Sequence, residues 1–143
     1  MKIKYILFLL FCGLVLQGNQ RSFKIKSEFG HSKLIDDWVF LSMETITYSE
    51  EEEREVVVQD EKNVETLSFH RSGSMSFVSM KNGKEKKGRG LWLIKDENIR
   101  IIAMKDTIDA VFNIDNGILT LSTFEKATDG YYGFTSIVKY KNN

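Results

Sequence analysis

Few residues of this chain have types and spacings that could support catalysis or metal binding. The two histidines, His31 and His70, fall in different predicted elements, whereas a zinc site needs three or four converging ligands. A triad of His31, Asp36 or Asp37 and a serine would need a nucleophile elbow, and the chain contains no Gly-x-Ser-x-Gly sequence. No glycine-rich loop leads into a predicted helix that could hold a phosphate. We therefore expect no catalytic residues, no metal site and no cofactor.

The N-terminal twenty residues have the composition of an export signal. Lys2 and Lys4 precede an apolar run over residues 6–16, which is too short to span a bilayer and is typical of a signal-peptide core. We expect residues 1–20 to be a signal peptide and residues 21–143 to form one exported domain, periplasmic or extracellular. The alternative for this segment is a buried N-terminal strand or helix.

Cys12 is the only cysteine, and it leaves two forms of the exported protein open. Cleavage after Cys12 would give a mature chain without disulfides or thiol chemistry. A lipid-modified Cys12 would instead make the protein a lipoprotein. Lipoprotein signals place a small residue just before the cysteine, and here that residue is Phe11, so we favour cleavage beyond Cys12.

The composition of the remaining chain argues against a nucleic-acid partner and against a stable membrane span. Without Lys2 and Lys4, the 20 basic residues of the whole chain fall to 18, against 20 acidic residues. Nucleic-acid-binding domains normally carry a strong basic excess. No later apolar segment reaches the length of a membrane span.

From Trp38 onward the sequence predicts short strands in even succession. Turn-forming sequences such as Asn82-Gly83 and Asn116-Gly117 separate them, and a short 3₁₀ or α turn precedes them in residues 31–38. The predicted strands are residues 38–48, 54–59, 64–70, 75–81, 89–95, 99–105, 107–114, 118–125 and 132–140. An antiparallel meander of this size closes or stacks. We predict an all-β fold, an antiparallel up-and-down barrel of about eight to nine strands, because closure removes exposed strand edges.

The segment "GLWLI" raises the question of which side of its strand faces the interior. Gly90, Trp92 and Ile94 alternate with Leu91 and Leu93, and both faces are apolar. We predict that Trp92 points inward, because the missing side chain of Gly90 leaves room for the indole. Leu91 and Leu93 would then lie outside, and the opposite assignment stays open.

The interior of the barrel is the candidate site. A barrel of about eight strands is either filled by side chains or holds one small ligand. The predicted lumen residues are Phe77, Trp92, Phe112, Phe134, Ser136 and Tyr140, with Phe40, Phe69 and Tyr132 as further inward-facing aromatics. These rings fit a packed core and also an apolar ligand cavity, in which Ser136 or Tyr140 would supply polar contacts.

Two charge runs are the strongest polar features of the chain. Residues 49–55 read "SEEEERE" and residues 81–89 read "KNGKEKKGR". If the strands alternate strictly in direction, the two runs lie at opposite ends of the barrel. They are either solvated loop tips or the two ends of a dipolar molecule whose basic end contacts an anionic surface or glycan.

Several short motifs resemble the small exported lipocalin-like domains of bacteria. The segment "LIDDWVF" is similar to the first strand of those domains, "SFHRSGSMSF" to a later Phe-x-x-x-Gly-x-Phe strand, and "GRGLW" to their Gly-x-Trp strand. The motifs are carried by Leu34 and Trp38, by Phe69, Gly73 and Phe77, and by Gly90 and Trp92. The resemblance covers residues 34–140. It implies an exported barrel of eight to nine strands, most often without known chemistry.

These observations predict an exported, non-catalytic binding module with a small apolar or amphipathic ligand in the barrel. The alternative is a protein-interaction module with a filled core that uses its charged loops or outer strands. An enzyme is the third hypothesis, and it would need a converging pair of titratable groups in a cleft.

Overall fold

A computed structural model of the chain describes residues 32–143 as a 3₁₀ turn followed by nine strands. The predicted signal peptide over residues 1–20, Cys12 and His31 lie outside the described residues. The 3₁₀ turn spans Ser32–Leu34. The strands are β1 (Asp37–Tyr48), β2 (Glu52–Val58), β3 (Asn63–Phe69), β4 (Ser74–Lys81), β5 (Lys84–Lys95), β6 (Asn98–Ala103), β7 (Asp106–Asp115), β8 (Ile118–Glu125) and β9 (Gly133–Asn142). The predicted elements are all present, and β5 starts earlier than predicted because its lysine-rich segment pairs with β4.

Eight of these strands close into an antiparallel barrel, which confirms the predicted fold class. From β3 to β9 each strand pairs with the next along the chain. β1 closes the ring, because it pairs with β9 along most of its length and with β3 through Asp37–Val39. Every strand of this ring has a partner on both sides along part of its length, which is how closure reduces exposed edges.

β2 is an extra strand outside the closed ring. It pairs with the second half of β1, from Ser42 to Tyr48, on the side of β1 that faces β3. β2 and β3 are both antiparallel to β1, so they run in the same direction as the two halves of one broken strand. The break is held by Asp60, whose Oδ1 accepts hydrogen bonds from the backbone N–H groups of Lys62 and Asn63, both at 2.8 Å.

The acidic and basic charge runs lie at the same end of the barrel, so the prediction that they lie at opposite ends is wrong. The prediction treated the β2–β3 connection as a turn that reverses the chain. Because β2 and β3 run in the same direction, that connection reverses nothing. The β1–β2 and β4–β5 turns therefore share one end, which we call the upper end. The 3₁₀ turn and the β3–β4 and β7–β8 turns share the lower end.

The lower end is closed by the chain that enters β1. Leu34 is fully buried and Trp38 is buried beneath it. The indole Nε1 of Trp38 donates a hydrogen bond to the carbonyl oxygen of Leu34 at 2.9 Å, which satisfies a buried donor and fixes the turn against the barrel.

The faces of β5 are as predicted, but the reason for Gly90 is different. Trp92 is buried, whereas Leu91 is 57% exposed. A Cβ atom at Gly90 would overlap the carbonyl oxygen of Ile102 on β6. The glycine therefore allows β5 and β6 to approach closely, and it is Gly88 whose missing side chain makes room for an aromatic ring, that of Phe77.

Among the described residues, no helix has the length and apolar character needed to cross a bilayer.

Candidate functional site

The structure brings all six predicted lumen residues to the inner face of the barrel wall, with different degrees of burial. In the strand pairings, these residues lie on the same face of the sheet as the buried core residues of the adjacent strands. The fully buried residues are Phe77 and Tyr140, the nearly buried residues are Trp92 and Ser136, and the half-buried residues are Phe112 and Phe134. Phe40 and Phe69 are also buried.

Tyr132 does not face the interior, which corrects the prediction for this residue. It precedes the first residue of β9 and is exposed. The β8–β9 connection forms its own turn, in which Thr128 and Tyr131 exchange backbone hydrogen bonds. This turn ends the alternation before Tyr132 is reached, so its side chain no longer follows the strand.

Trp92 is held in a fixed position in the core. Its indole Nε1 donates a hydrogen bond to the carbonyl oxygen of His70 at 3.0 Å. Its ring meets that of Phe69 edge to face, with ring centroids 5.6 Å apart, an arrangement that aromatic quadrupoles favour. Both contacts tie β5 to the β3–β4 corner, so this tryptophan has a structural role.

The buried polar side chains of the interior lie towards the upper end. They belong to the upper halves of β1, β3, β4 and β9, and they are Thr45, Thr47, Glu65, Ser79 and Ser136. The lower half of the interior is apolar, and its largest buried side chains are Trp38, Phe40, Leu67, Phe69, Met75, Leu119 and Tyr140. The inside of the barrel is therefore amphipathic along its axis.

Glu65 is the buried carboxyl group of the upper interior. Its Oε1 accepts a hydrogen bond from the hydroxyl of Tyr140 at 2.6 Å, and the ring of Tyr140 packs edge to face with that of Phe40. Burial disfavours the carboxylate and raises the pKa of Glu65 to about 7, although the Tyr140 hydrogen bond opposes this shift. Burial and the neighbouring carboxylate raise the pKa of Tyr140 well above its ordinary value. Tyr140 therefore stays neutral and remains a donor.

Three buried polar atoms in this region have no hydrogen-bond partner among residues 32–143. They are Glu65 Oε2, Ser79 Oγ and Ser136 Oγ. Glu65 and Ser79 lie directly opposite each other on β3 and β4. Buried polar groups are nearly always paired, so these atoms give the upper interior an unused capacity to donate and accept hydrogen bonds.

Glu65 and Ser79 were not among the residues predicted from the sequence. The signal for Glu65 lies in the alternation of β3, where it is in phase with Leu67 and Phe69 and out of phase with Thr66 and Ser68. A carboxylate on the apolar face of a strand is unusual enough to mark a site. Ser79 carries no such signal, because serines are common on either face of a strand.

In residues 32–143, no group of three or more histidine, cysteine, aspartate or glutamate side chains could hold a metal ion. The fold and the amphipathic interior define this protein as a closed eight-stranded antiparallel barrel with one additional strand. No model of a known protein family matches the chain, and no curated protein matches it.

Proposed function

We propose that this protein is an exported, non-catalytic, lipocalin-like binding module that holds one small amphipathic molecule in its barrel. The observation that supports the proposal is the divided interior, with unpaired buried polar atoms above an apolar lower half. The polar group of the ligand would meet Glu65 and Ser79, and its apolar part would lie towards Trp92 and Phe77. Burial of the apolar part drives binding, and the polar contacts fix the orientation.

A hydrophobic reporter dye is expected to bind the folded protein at about one molecule per chain. Its affinity should depend little on salt, because burial of apolar surface and not charge drives the association. Phe112→Trp should weaken dye binding and leave the stability unchanged, since an open lumen accepts the added volume. Fluorescence titration combined with urea denaturation measures both effects.

The control for this variant is Val111→Trp, which places the same side chain at the neighbouring, exposed position. It should change neither dye binding nor stability. Failure of the dye to bind, together with a loss of about 1–3 kcal/mol in Phe112→Trp from overpacking, would contradict a ligand-holding barrel. Native mass spectrometry of protein purified from its own host would show a retained ligand directly.

The export part of the proposal has its own test. The exported protein should begin between Gly18 and Ser22 when its intact mass is measured, because the signal peptide has been removed. A mass that includes Cys12 and a diacylglyceryl group would show a lipoprotein instead. A mass that begins at Met1 would contradict cleavage.

A second candidate function is a protein-interaction module that uses the outer strands. It is favoured by one observation, the exposed β2 strand outside the closed ring. Its residues are exposed except for Val57, and a strand at the edge of a sheet can pair with another chain.

A further inference from the structure

Several strand segments at the upper end are paired on one side only within residues 32–143, and two of them, β2 and the first half of β5, carry the acidic and basic runs. β2 pairs with β1 and with no other strand. Residues 84–89 of β5 pair with β4, but the pairing of β5 with β6 begins at Gly90. Each segment therefore presents a row of backbone N–H and C=O groups that no neighbouring strand covers, and such rows are templates for pairing.

The hydrogen bonds between β1 and β2 show which backbone groups of β2 are already used and which point outward. The N–H of Gln59 donates to the carbonyl oxygen of Leu41, and the groups of an antiparallel strand alternate between its two neighbours. The backbone groups of Glu53 and Glu55 consequently point at β1, and those of Glu52 and Arg54 point away from it.

The same argument applies to β5. The N–H of Trp92 donates to the carbonyl oxygen of Gly73, so every second residue before Trp92 is directed at β4. The backbone groups of Lys84 and Lys86 point at β4. Those of Glu85, Lys87 and Arg89 point to the uncovered side.

The two uncovered edges have complementary charges in a single antiparallel register. In that register the backbone groups of Glu52 would hydrogen-bond with those of Lys87, and the backbone groups of Arg54 with those of Glu85. All four residues have backbone groups that point outward. The opposed pairs are Glu50 with Arg89, Glu51 with Gly88, Glu52 with Lys87, Glu53 with Lys86, Arg54 with Glu85 and Glu55 with Lys84. Each pair except that with Gly88 joins opposite charges, and the one basic residue of the acidic run meets the one acidic residue of the basic run.

Neighbouring registers lose this complementarity. A shift of two residues, the smallest that keeps the outward groups opposed, places Glu52 against Glu85 in one direction. In the other direction it places Arg54 against Lys87. Like charges directly opposite each other destabilise a strand pair, so the charge pattern specifies one register.

The pairing needs two molecules. Within one barrel β2 and β5 both run from the upper end to the lower end, because both are antiparallel to upward-running strands. They are therefore parallel to each other, whereas the complementary register is antiparallel. The acidic strand of one chain must meet the basic strand of another.

We propose that the protein associates with a second copy of itself by antiparallel pairing of β2 of one copy with residues 84–89 of the other. This inference specifies the partner for the second candidate function and does not depend on a ligand in the barrel. Arg54 already pairs with Glu52 at 2.8 Å and with Glu44 on β1 at 3.0 Å, and Lys87 pairs with Glu85 at 3.0 Å. Ion pairs at the surface contribute little to stability. They do not prevent the cross-strand pairs from forming.

Charge reversal of either edge tests the proposal. One variant carries Glu52→Lys, Glu53→Lys and Glu55→Lys, and the other carries Lys84→Glu, Lys86→Glu and Lys87→Glu. Each variant alone opposes like charges at the contact and should associate with itself at least about tenfold more weakly than the unmodified protein. An equimolar mixture should restore association, because the reversed edge of one variant then meets the reversed edge of the other, and the two unreversed edges also meet with opposite sign.

Sedimentation velocity at low and at high salt measures the outcome, and circular dichroism checks that each variant is folded. Recovery in the mixture and loss of association at high salt would support the proposal. An unmodified protein that stays monomeric at low salt would overturn it, and so would association that survives both reversals. Dye binding should be the same in the reversed variants, so a failure here is distinguishable from a failure of the ligand proposal.

Discussion

Replacement of Trp92 by alanine is expected to lower the free energy of unfolding by about 3–5 kcal/mol, the usual cost of deleting a large buried aromatic side chain. The indole is 7% exposed, and its removal leaves a cavity beside Phe69. It also removes the hydrogen bond from the indole Nε1 to the carbonyl oxygen of His70, which then keeps only the backbone N–H of Gly73 as a donor. Urea denaturation followed by circular dichroism measures the loss.

The neighbouring residue supplies the control for this prediction. Leu91 lies on the outer face of the same strand, and its replacement by alanine should change the stability by about 0.5 kcal/mol or less. A loss below about 1 kcal/mol for Trp92→Ala would show that the indole does not belong to the core. Equal losses in the two variants would show that the faces of β5 are assigned wrongly.

The stability of the protein is expected to fall as the pH rises through the range in which Glu65 titrates. The pKa of Glu65 is about 7 in the folded protein and 4.5 as a free side chain. Below pH 4.5 both states bind the proton, and the stabilising effect of the protonated form is fully present. As the pH rises towards 7, the unfolded chain releases its proton first, so the fold loses stability.

Glu65→Gln should remove this dependence, because the amide resembles the protonated acid and does not titrate. The unmodified protein should lose on the order of 3 kcal/mol relative to the variant between about pH 4 and about pH 8. Urea denaturation at both pH values measures the difference, and Glu61→Gln at an exposed position is the matched control. Parallel stability profiles for the unmodified protein and Glu65→Gln would contradict a buried, protonated Glu65.

Local patterns in the sequence were sufficient for the strands and for the faces of several of them. Turn sequences such as Asn116-Gly117 marked the hairpins, and the structure gives Asn116 and Gly117 the positive φ angles that such turns need. Alternation placed Phe77, Trp92 and Tyr140 on inner faces, because the side-chain period of two is a local property of extended backbone. Closure into a barrel followed from the number of strands and the need to remove their edges.

Long-range register could not be predicted in this way. Whether β2 and β3 form a hairpin or one broken strand depends on which part of β1 each one meets, and that choice is made by contacts distant in sequence. The same choice puts the acidic and basic runs at one end of the barrel. It also leaves β2 outside the ring with an uncovered edge.

The sequence by itself determined the all-β class of this protein, the positions of its strands and turns, and the inward direction of its principal aromatic residues, because these depend on residues close together in the chain. The tertiary structure decided which groups meet inside the barrel. Only the folded wall brings the hydroxyl of Tyr140 to Glu65 and buries the hydroxyls of Ser79 and Ser136, which have no hydrogen-bond partner in the described part of the chain. The physical reason is that burial and hydrogen bonding across a barrel depend on strand order and stagger, which join residues far apart in sequence.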